Sequence, residues 1–427
     1  MAEDHVMSAT KKAEQRDVPQ SLSLSLEEAQ DYAIASNRSL RNADLAVQEA
    51  YAQRWQTIAA MLPQASASWG FNSMCGYQME MDFGGVSTKI DMPNYSTLGI
   101  TASVGISGQA VVGAILNNIA IDMQKISLEQ SEVSLRANVK TSYASVLVLQ
   151  DVVELLDSSL VNVENLAEMT QRSVDVGAAE QTSADQIMVR VNTLRNNINS
   201  NKRSALLALN SLKVLLDVPV ETELTLTTTL DDMLSAEAIV NLLGEEFVPQ
   251  RNLDYQTLEK NVELAKTNVH LAAWQYGPTI SAGYQYSDQK YYADGGFRMT
   301  PPHAVSFTVS MPLWSSGKRA ATVTEKKIAL EKARNTFAET SDNLEIQNQQ
   351  LRFTLQNSYE SYMTEKQNMD VTQRVFQSTT NKFNHGASSN LELVNASNDL
   401  ITAQSSYVQA VLTLVNAQVE FEKFLNN

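Results

Sequence analysis

The side chains best able to do chemistry in this chain are too scattered to do it together. His5, His270, His303 and His385 show neither H-E-x-x-H nor any other paired spacing of a metalloenzyme. Cys75 is the single cysteine, with no metal-ligand spacing and no histidine close by, so neither an intrachain disulfide nor a catalytic thiolate pair follows. Ser316-Gly317-Lys318-Arg319 resembles the end of a phosphate loop but lacks its first glycine and the hydroxyl residue after the lysine. No G-x-S-x-G elbow occurs. No catalytic, cofactor or metal site is expected. Two acids invite another reading. Asp185 and Glu392 close the patterns Thr182-x-x-Asp185 and Ser389-x-x-Glu392, each shortly after a glycine, Gly177 and Gly386. Such patterns cap a restarting helix; at the end of a long hairpin, the same carboxylates could instead line a pore mouth.

Those acids belong to a duplicated framework. A helix, a proline, two alternating strands and a long helical hairpin run from about Ser25 to Leu216, and again from about Leu253 to Leu425. Ser36-Asn-Arg-Ser-Leu40 answers Pro249-Gln-Arg-Asn-Leu253, Met61-Leu-Pro63 answers Tyr276-Gly-Pro278, and Val176-Gly-Ala178 answers His385-Gly-Ala387. The expected organisation is a disordered tail over 1–24, a first repeat over 25–217, an inter-repeat segment over 218–249 and a second repeat over 250–427. Met1 to Gln20 carry no secretory pattern, so a native signal peptide is absent from this chain.

Strands are expected at about 64–72, 96–107, 279–287 and 303–311. Ala65, Ala67, Trp69 and Phe71 alternate with Gln64, Ser66, Ser68 and Gly70, and Leu98, Ile100, Ala102, Val104 and Ile106 alternate with Gly99, Thr101, Ser103, Gly105 and Ser107. The polar faces hold Ser, Thr, Gly and Gln with almost no charge. A small uncharged face opposite an apolar, aromatic-tipped one suits a barrel with water inside and lipid outside. No apolar run reaches the ~20 residues of a spanning helix. Four strands cannot close, and an open edge in lipid leaves backbone groups unpaired, so the pattern implies an oligomer without choosing its number.

After the strands the period becomes 3.5. Leu135, Val139, Val146, Leu156 and Val163 recur on one outgoing helix, Ile187, Val191, Leu194 and Ile198 on its return, and Leu393, Ala396, Leu400 and Leu414 on the last helix. A helix from Gly113 to Arg172 would be about 90 Å long. Acidic residues outnumber basic ones, 48 to 32, giving a net charge of −16 and arguing against nucleic acid as a partner. A pore in so acidic a chain is expected to favour cations. A structural coiled-coil scaffold or surface adhesin would explain the heptads, but not four charge-poor alternating strands.

In that order and duplication, with a glycine at each hairpin tip, the chain resembles the TolC-like outer-membrane efflux proteins from Ser25 onward. The resemblance implies a mainly α fold with a β-barrel part: a homotrimer whose twelve-stranded barrel spans the outer membrane, in contact with its lipid, and continues as a helical tunnel through the periplasm. It further implies a passive exit duct opened at its tips by a periplasmic adaptor and an inner-membrane pump. By the same resemblance Val176, Gly177, Ala178, His385, Gly386 and Ala387 would contact the adaptor. Glu392 would take the family's gate position and Asn395 a second acid position, with Ser183 and the nearby Asp185 as their counterparts in the first repeat. The family's gate arginine falls on Ser388. The segment over 218–249, with Leu224-Thr-Leu-Thr-Thr-Thr229, resembles the family's equatorial band; a plain linker is the other reading.

Overall fold

Each repeat starts its strands where a proline forbids more helix. Helices α1 (Leu26–Ser36) and α2 (Arg38–Ala59) lead to Pro63 and strand β2 (Gln64–Asn72). The equivalent helix of the second repeat, Leu253–Ala273, tightens into a 3₁₀ turn, Trp274–Tyr276, before Pro278 and a strand at Thr279–Tyr291. The structure, a computed structural model, describes residues 21–177, 179–292 and 301–426. The first twenty residues of the expected tail lie outside these, but Ser21–Leu24 do not form a tail: they make strand β1.

The remaining strands are β3 (Gln78–Phe83), β4 (Val86–Asp91), β5 (Tyr95–Ser107), β6 (Glu223–Leu226), β7 (Thr279–Tyr291) and β8 (His303–Ser310). The remaining helices are α3 (Gly108–Asp175), α4 (Gln181–Leu215), α5 (Leu230–Met233), α6 (Ala236–Gly244), α7 (Leu253–Ala273), α8 (Lys318–Asn384) and α9 (Asn390–Leu425). They form two compact units whose boundaries cut across both repeats.

One unit comprises the chain up to Asp44, Ser127–Gln256 and everything from Thr340. Its hydrophobic interior has two clusters. The first holds Tyr143, Leu212, Leu216, Ile239, Leu355, Leu414 and Phe421, and the second holds Leu156, Val163, Ile187, Leu194, Phe376, Leu393 and Leu400. Many heptad positions read from sequence, among them Val139, Leu156, Ile187, Leu194, Leu393 and Leu414, are buried, because a 3.5-residue repeat keeps one seam facing its partner; Tyr143 and Phe376 join the core from outside that reading. The segment over 218–249 is packed rather than strung between repeats. Strand β6 pairs in parallel with β1, Leu24 opposite Leu226, while Leu230, Met233, Ile239 and Leu242 enter the first cluster. Arg352 ties that segment to α8, its guanidinium donating to the carbonyls of Leu243 and Glu245 and lying over the Phe421 ring.

Tyr143 joins the pieces. It is fully buried; its hydroxyl donates to the Leu24 carbonyl at 3.0 Å and accepts from the Thr228 amide at 3.0 Å. Tyr143→Phe strands both backbone groups without leaving a cavity, which should cost about 1–3 kcal/mol. A denaturant midpoint equal to that of the native protein would show that these bonds contribute nothing.

The other unit comprises Leu45–Ile126 and Thr257–Glu339. Its four-stranded antiparallel sheet has the order β2-β5-β7-β8, so strands of the two repeats meet between β5 and β7. Lys260 of α7 holds this unit's helices together, pairing with Asp122 of α3 at 3.1 Å and with Glu263 at 2.9 Å. Beyond the expected four strands, β3 and β4 form a separate antiparallel hairpin. Gly84 and Gly85, with φ of +65° and +93°, make its two-residue turn, and left-handed dihedrals at both positions match the twist of the flanking strands.

Candidate functional site

The sheet has two chemically opposed faces. In an antiparallel pair, residues directly opposite each other share a face, so the register reads out whole rows. One face carries the row Ser66, Thr101, Gln285 and Ala304, with Gln64, Ser103, Gly283 and Ser306 beside it. The other carries Ile106, Ile280 and Val309, then Val104, Ala282 and Phe307, and further on Trp69 and Leu98. Side chains of this second face are left open by the described residues: Ile100 is 41% exposed although β5 is a central strand, and Phe307 is 71% exposed.

From the Ile106 row to the Leu98 row is eight residues, about 27 Å along the strand, or about 20 Å of height at an ordinary barrel tilt. Met311 and Leu313 carry the exposed apolar column further. An apolar band of about that height is what a bilayer requires. Aromatics gather at its ends. Phe71 and Tyr292 meet edge to face at 5.7 Å, while the His303 ring lies tilted 5.1 Å from that of Tyr286 with its Nδ1 2.8 Å from the Tyr284 hydroxyl. Trp314 is exposed beyond the opposite end, where Arg319 lies 4.9 Å over Tyr276 and donates to the Pro312 carbonyl at 2.6 Å. Among the described residues, no helix is long and apolar enough to cross a membrane.

The hairpin tips are the second functional element. At the end of α8, the Ala387 amide donates to the Lys382 carbonyl at 2.8 Å and the Gly386 amide to Phe383 at 2.9 Å. That double closure leaves Gly386 left-handed, with φ +72°, and is the Schellman arrangement. At the end of α3, Gly177 has φ +73° and its amide reaches the Val174 carbonyl at 2.8 Å. Val176 is 79% exposed and His385 and Ala387 are exposed as well, whereas Ala178 lies outside the described residues.

The two restarts differ. Ser389 caps α9 with a complete box: its hydroxyl accepts from the Glu392 amide at 3.2 Å, and the Glu392 carboxylate accepts from the Ser389 amide at 3.0 Å. The Ser388 hydroxyl adds a 2.6 Å bond to the same carboxylate. In the first repeat no such box forms. Helix α4 begins at Gln181 with Glu180 as its cap residue, so Thr182 is already inside the helix and bonds to Glu180, while Asp185 accepts from Gln181 at 2.9 Å. The capping pattern Thr182-x-x-Asp185 is thus corrected: the turn from Gly177 is as long as that from Gly386, so Glu180 and not Thr182 takes the place of Ser389. Asp185, Glu392 and Asn395 are all exposed, and Ser183 is half-buried.

The bond from Ser388, then that from the Ser389 amide, with Lys382 adding to them, hold the Glu392 carboxyl below its ordinary value of 4.5. A lowered carboxylate pKa contributes stability above the unfolded-state value and loses it as pH falls through the folded one. The first turn of α9 should therefore lose hydrogen-exchange protection only as pH falls below the ordinary carboxylate range, ahead of the seam. Glu392→Gln, which keeps the box without the charge, should make that protection independent of pH. A native first turn equally protected at neutral pH and well below the ordinary carboxylate range would refute this.

The β3–β4 hairpin escaped the reading by sequence, although Gly84-Gly85 between alternating residues was a usable signal. Asp82 accepts from the Gly85 amide at 2.8 Å, and Glu80 pairs with Lys89 at 3.0 Å.

Known proteins share this arrangement. The model of a family described as outer membrane efflux protein matches residues 30–217 and 248–427. A probable efflux pump outer membrane protein, TtgC of Pseudomonas putida, is 25% identical over 412 residues, covering 92% of this chain and 81% of the relative. The antibiotic efflux pump outer membrane protein ArpC of Pseudomonas putida matches to the same extent. Among solved structures, the outer membrane protein VceC of Vibrio cholerae superposes with a TM-score of 0.74 at 15% identity, covering 94% of this chain and 96% of that one. The open state of the Neisseria gonorrhoeae MtrE outer membrane channel gives 0.74 at 16%, covering 94% and 89%. With both repeats inside the family's match, this chain belongs to the outer membrane efflux protein family and is a non-enzymatic efflux channel of the outer membrane.

Proposed function

We propose that three copies of this chain close one twelve-stranded barrel, and that their helices form a periplasmic duct opened at the tips by an adaptor and an inner-membrane pump. The observation that carries this is the two-faced sheet with both of its edges, β2 and β8, unpaired among the described residues. An open edge in lipid leaves unpaired backbone groups at several kcal/mol each. Twelve strands are a sufficient ring for closure where four are not. The helices need the same partners. Leu207 and Val214 stand seven residues apart on α4 and are each 67% exposed, and Ile346 and Phe353 repeat the spacing on α8. Apolar stripes at heptad spacing fit another helix, which a second copy supplies.

At the tips, Val176, Gly177, Ala178, His385, Gly386 and Ala387 offer small or apolar backbone-exposing surface for a helical adaptor. Asp185, Glu392 and Asn395 would surround the entrance. Glu392 is already engaged by Ser388 and Ser389 within its own chain, so opening here need not break a lock between chains through that carboxylate. Exported solutes would move passively, and the acidic entrance should give a cation preference.

The test is native mass spectrometry of the detergent-purified protein, followed by recording in a planar bilayer. A trimer with discrete conductance supports the proposal. A monomer in bilayer-like detergent, or a trimer that never conducts even with its tips removed by Gly177 and Gly386 hairpin truncation, sinks it.

A further inference from the structure

We propose that the barrel's water-facing wall does not discriminate solutes by charge. This rests on the conduit reading above and names what that conduit admits. Selecting by charge takes rings of fixed charge or aligned carbonyls. The register shows what the wall offers instead. The row Ser66, Thr101, Gln285 and Ala304 is bordered by hydroxyls and amides in the neighbouring rows. Such groups donate and accept hydrogen bonds equally well, so they favour neither sign of solute.

Three acidic or basic side chains do lie on these strands, and all three face the other way. Asp288 is opposite Leu98, Lys290 opposite Ser96, and His303 opposite Tyr286, on the apolar face toward one end of the sheet. The net charge of −16 is therefore carried elsewhere in the chain. The wall is also kept low. A Cβ on Gly99 would lie 3.0 Å from the Ser68 hydroxyl, and one on Gly283 would lie 3.0 Å from that of Ser306. Ser66 and Thr101 hold each other at 2.8 Å. Neighbouring hydroxyls occupy the space that side chains at the glycines would need, which leaves a smooth polar surface suited to amphiphilic solutes of either charge.

Local potential can be read with thiol reagents. Cys75 is the only cysteine and is exposed, so a Cys75→Ser background allows Thr101→Cys, Ser66→Cys and Ile100→Cys to be labelled singly in the assembled protein. Cationic and anionic methanethiosulfonates of equal size are compared. At Thr101→Cys and Ser66→Cys the ratio of their rates should match that of a free thiol within about twofold, because a ring of fixed charge changes local ion concentration by about tenfold or more. Ile100→Cys should react with neither. A tenfold skew at Thr101→Cys and Ser66→Cys overturns the uncharged wall and leaves the conduit standing. Reaction at Ile100→Cys with silence at the other two means that the faces are reversed, which overturns the conduit reading itself.

Discussion

Ile100→Arg should empty the membrane of folded protein, while Thr101→Arg, one residue further along the same strand, should leave it there. Both side chains belong to β5, the strand flanked by β2 and β7. The two residues differ only in face: Ile100 sits opposite Ala67 and Tyr286, Thr101 opposite Ser66 and Gln285. A guanidinium on the lipid face costs about 2–4 kcal/mol at the bilayer midplane and less toward the interface, and Ile100, in one row with Tyr286 and His303, lies between the two. If three copies assemble, the penalty is met three times per barrel, which approaches the whole stability of an ordinary domain. On the opposite face the same side chain reaches water. The comparison is made by measuring folded protein in outer-membrane fractions as heat-resistant oligomer on a gel. Equal loss from both variants would mean that neither face meets lipid.

Gly386→Val should uncouple transport while leaving the channel intact. Gly386 has φ +72°, and a Cβ added there would meet nothing within 4 Å, so the penalty is conformational and not a clash. A left-handed backbone disfavours side-chain-bearing residues by about 1–2 kcal/mol, and a β-branched one more. That shifts the population of the native turn by a factor of about 5–30. The barrel lies in the other compact unit and should be unaffected, so single-channel conductance should persist while export through the assembled pump falls. Gly386→Asn, which tolerates the left-handed region, should retain most export. Gly177→Val tests the first tip in the same way, where φ is +73°. Full export by both valine variants would remove the tips from the coupling mechanism.

Much of this architecture was legible in the amino-acid order because its signals are local and periodic. Alternation located β2, β5, β7 and β8, since side chains on a strand change face at every residue. Heptads located the seams, and residues such as Leu156, Ile187, Leu393 and Leu414 are buried where the 3.5 period put them. Glycines marked both tips because a helix reversal needs a left-handed residue. The box at Ser389 was visible for the same reason, its partners being three residues apart.

Other features escaped because they are settled by distant parts of the chain. Strand β1 is four residues long and pairs with β6 some two hundred positions away; the Ser–Leu alternation of Ser21–Leu24 is too short to mark a strand until Leu224 and Tyr143 are present. Thr182 and Asp185 have the right spacing for a box, yet the geometry of the preceding turn starts the helix at Gln181 and leaves Glu180 as the cap.

By itself, then, the sequence determined the repeat, the two periods, the two-faced strands and the glycine-turned tips, all of which depend on neighbours within a few turns of chain. Only the tertiary structure decided that β5 meets β7, that Asp288, Lys290 and His303 fall on the apolar face, and that 218–249 is packed against β1 and Tyr143. Register and burial depend on which remote segments bring their backbone donors and apolar faces together, and a slip of one residue would turn every strand side chain to the other face.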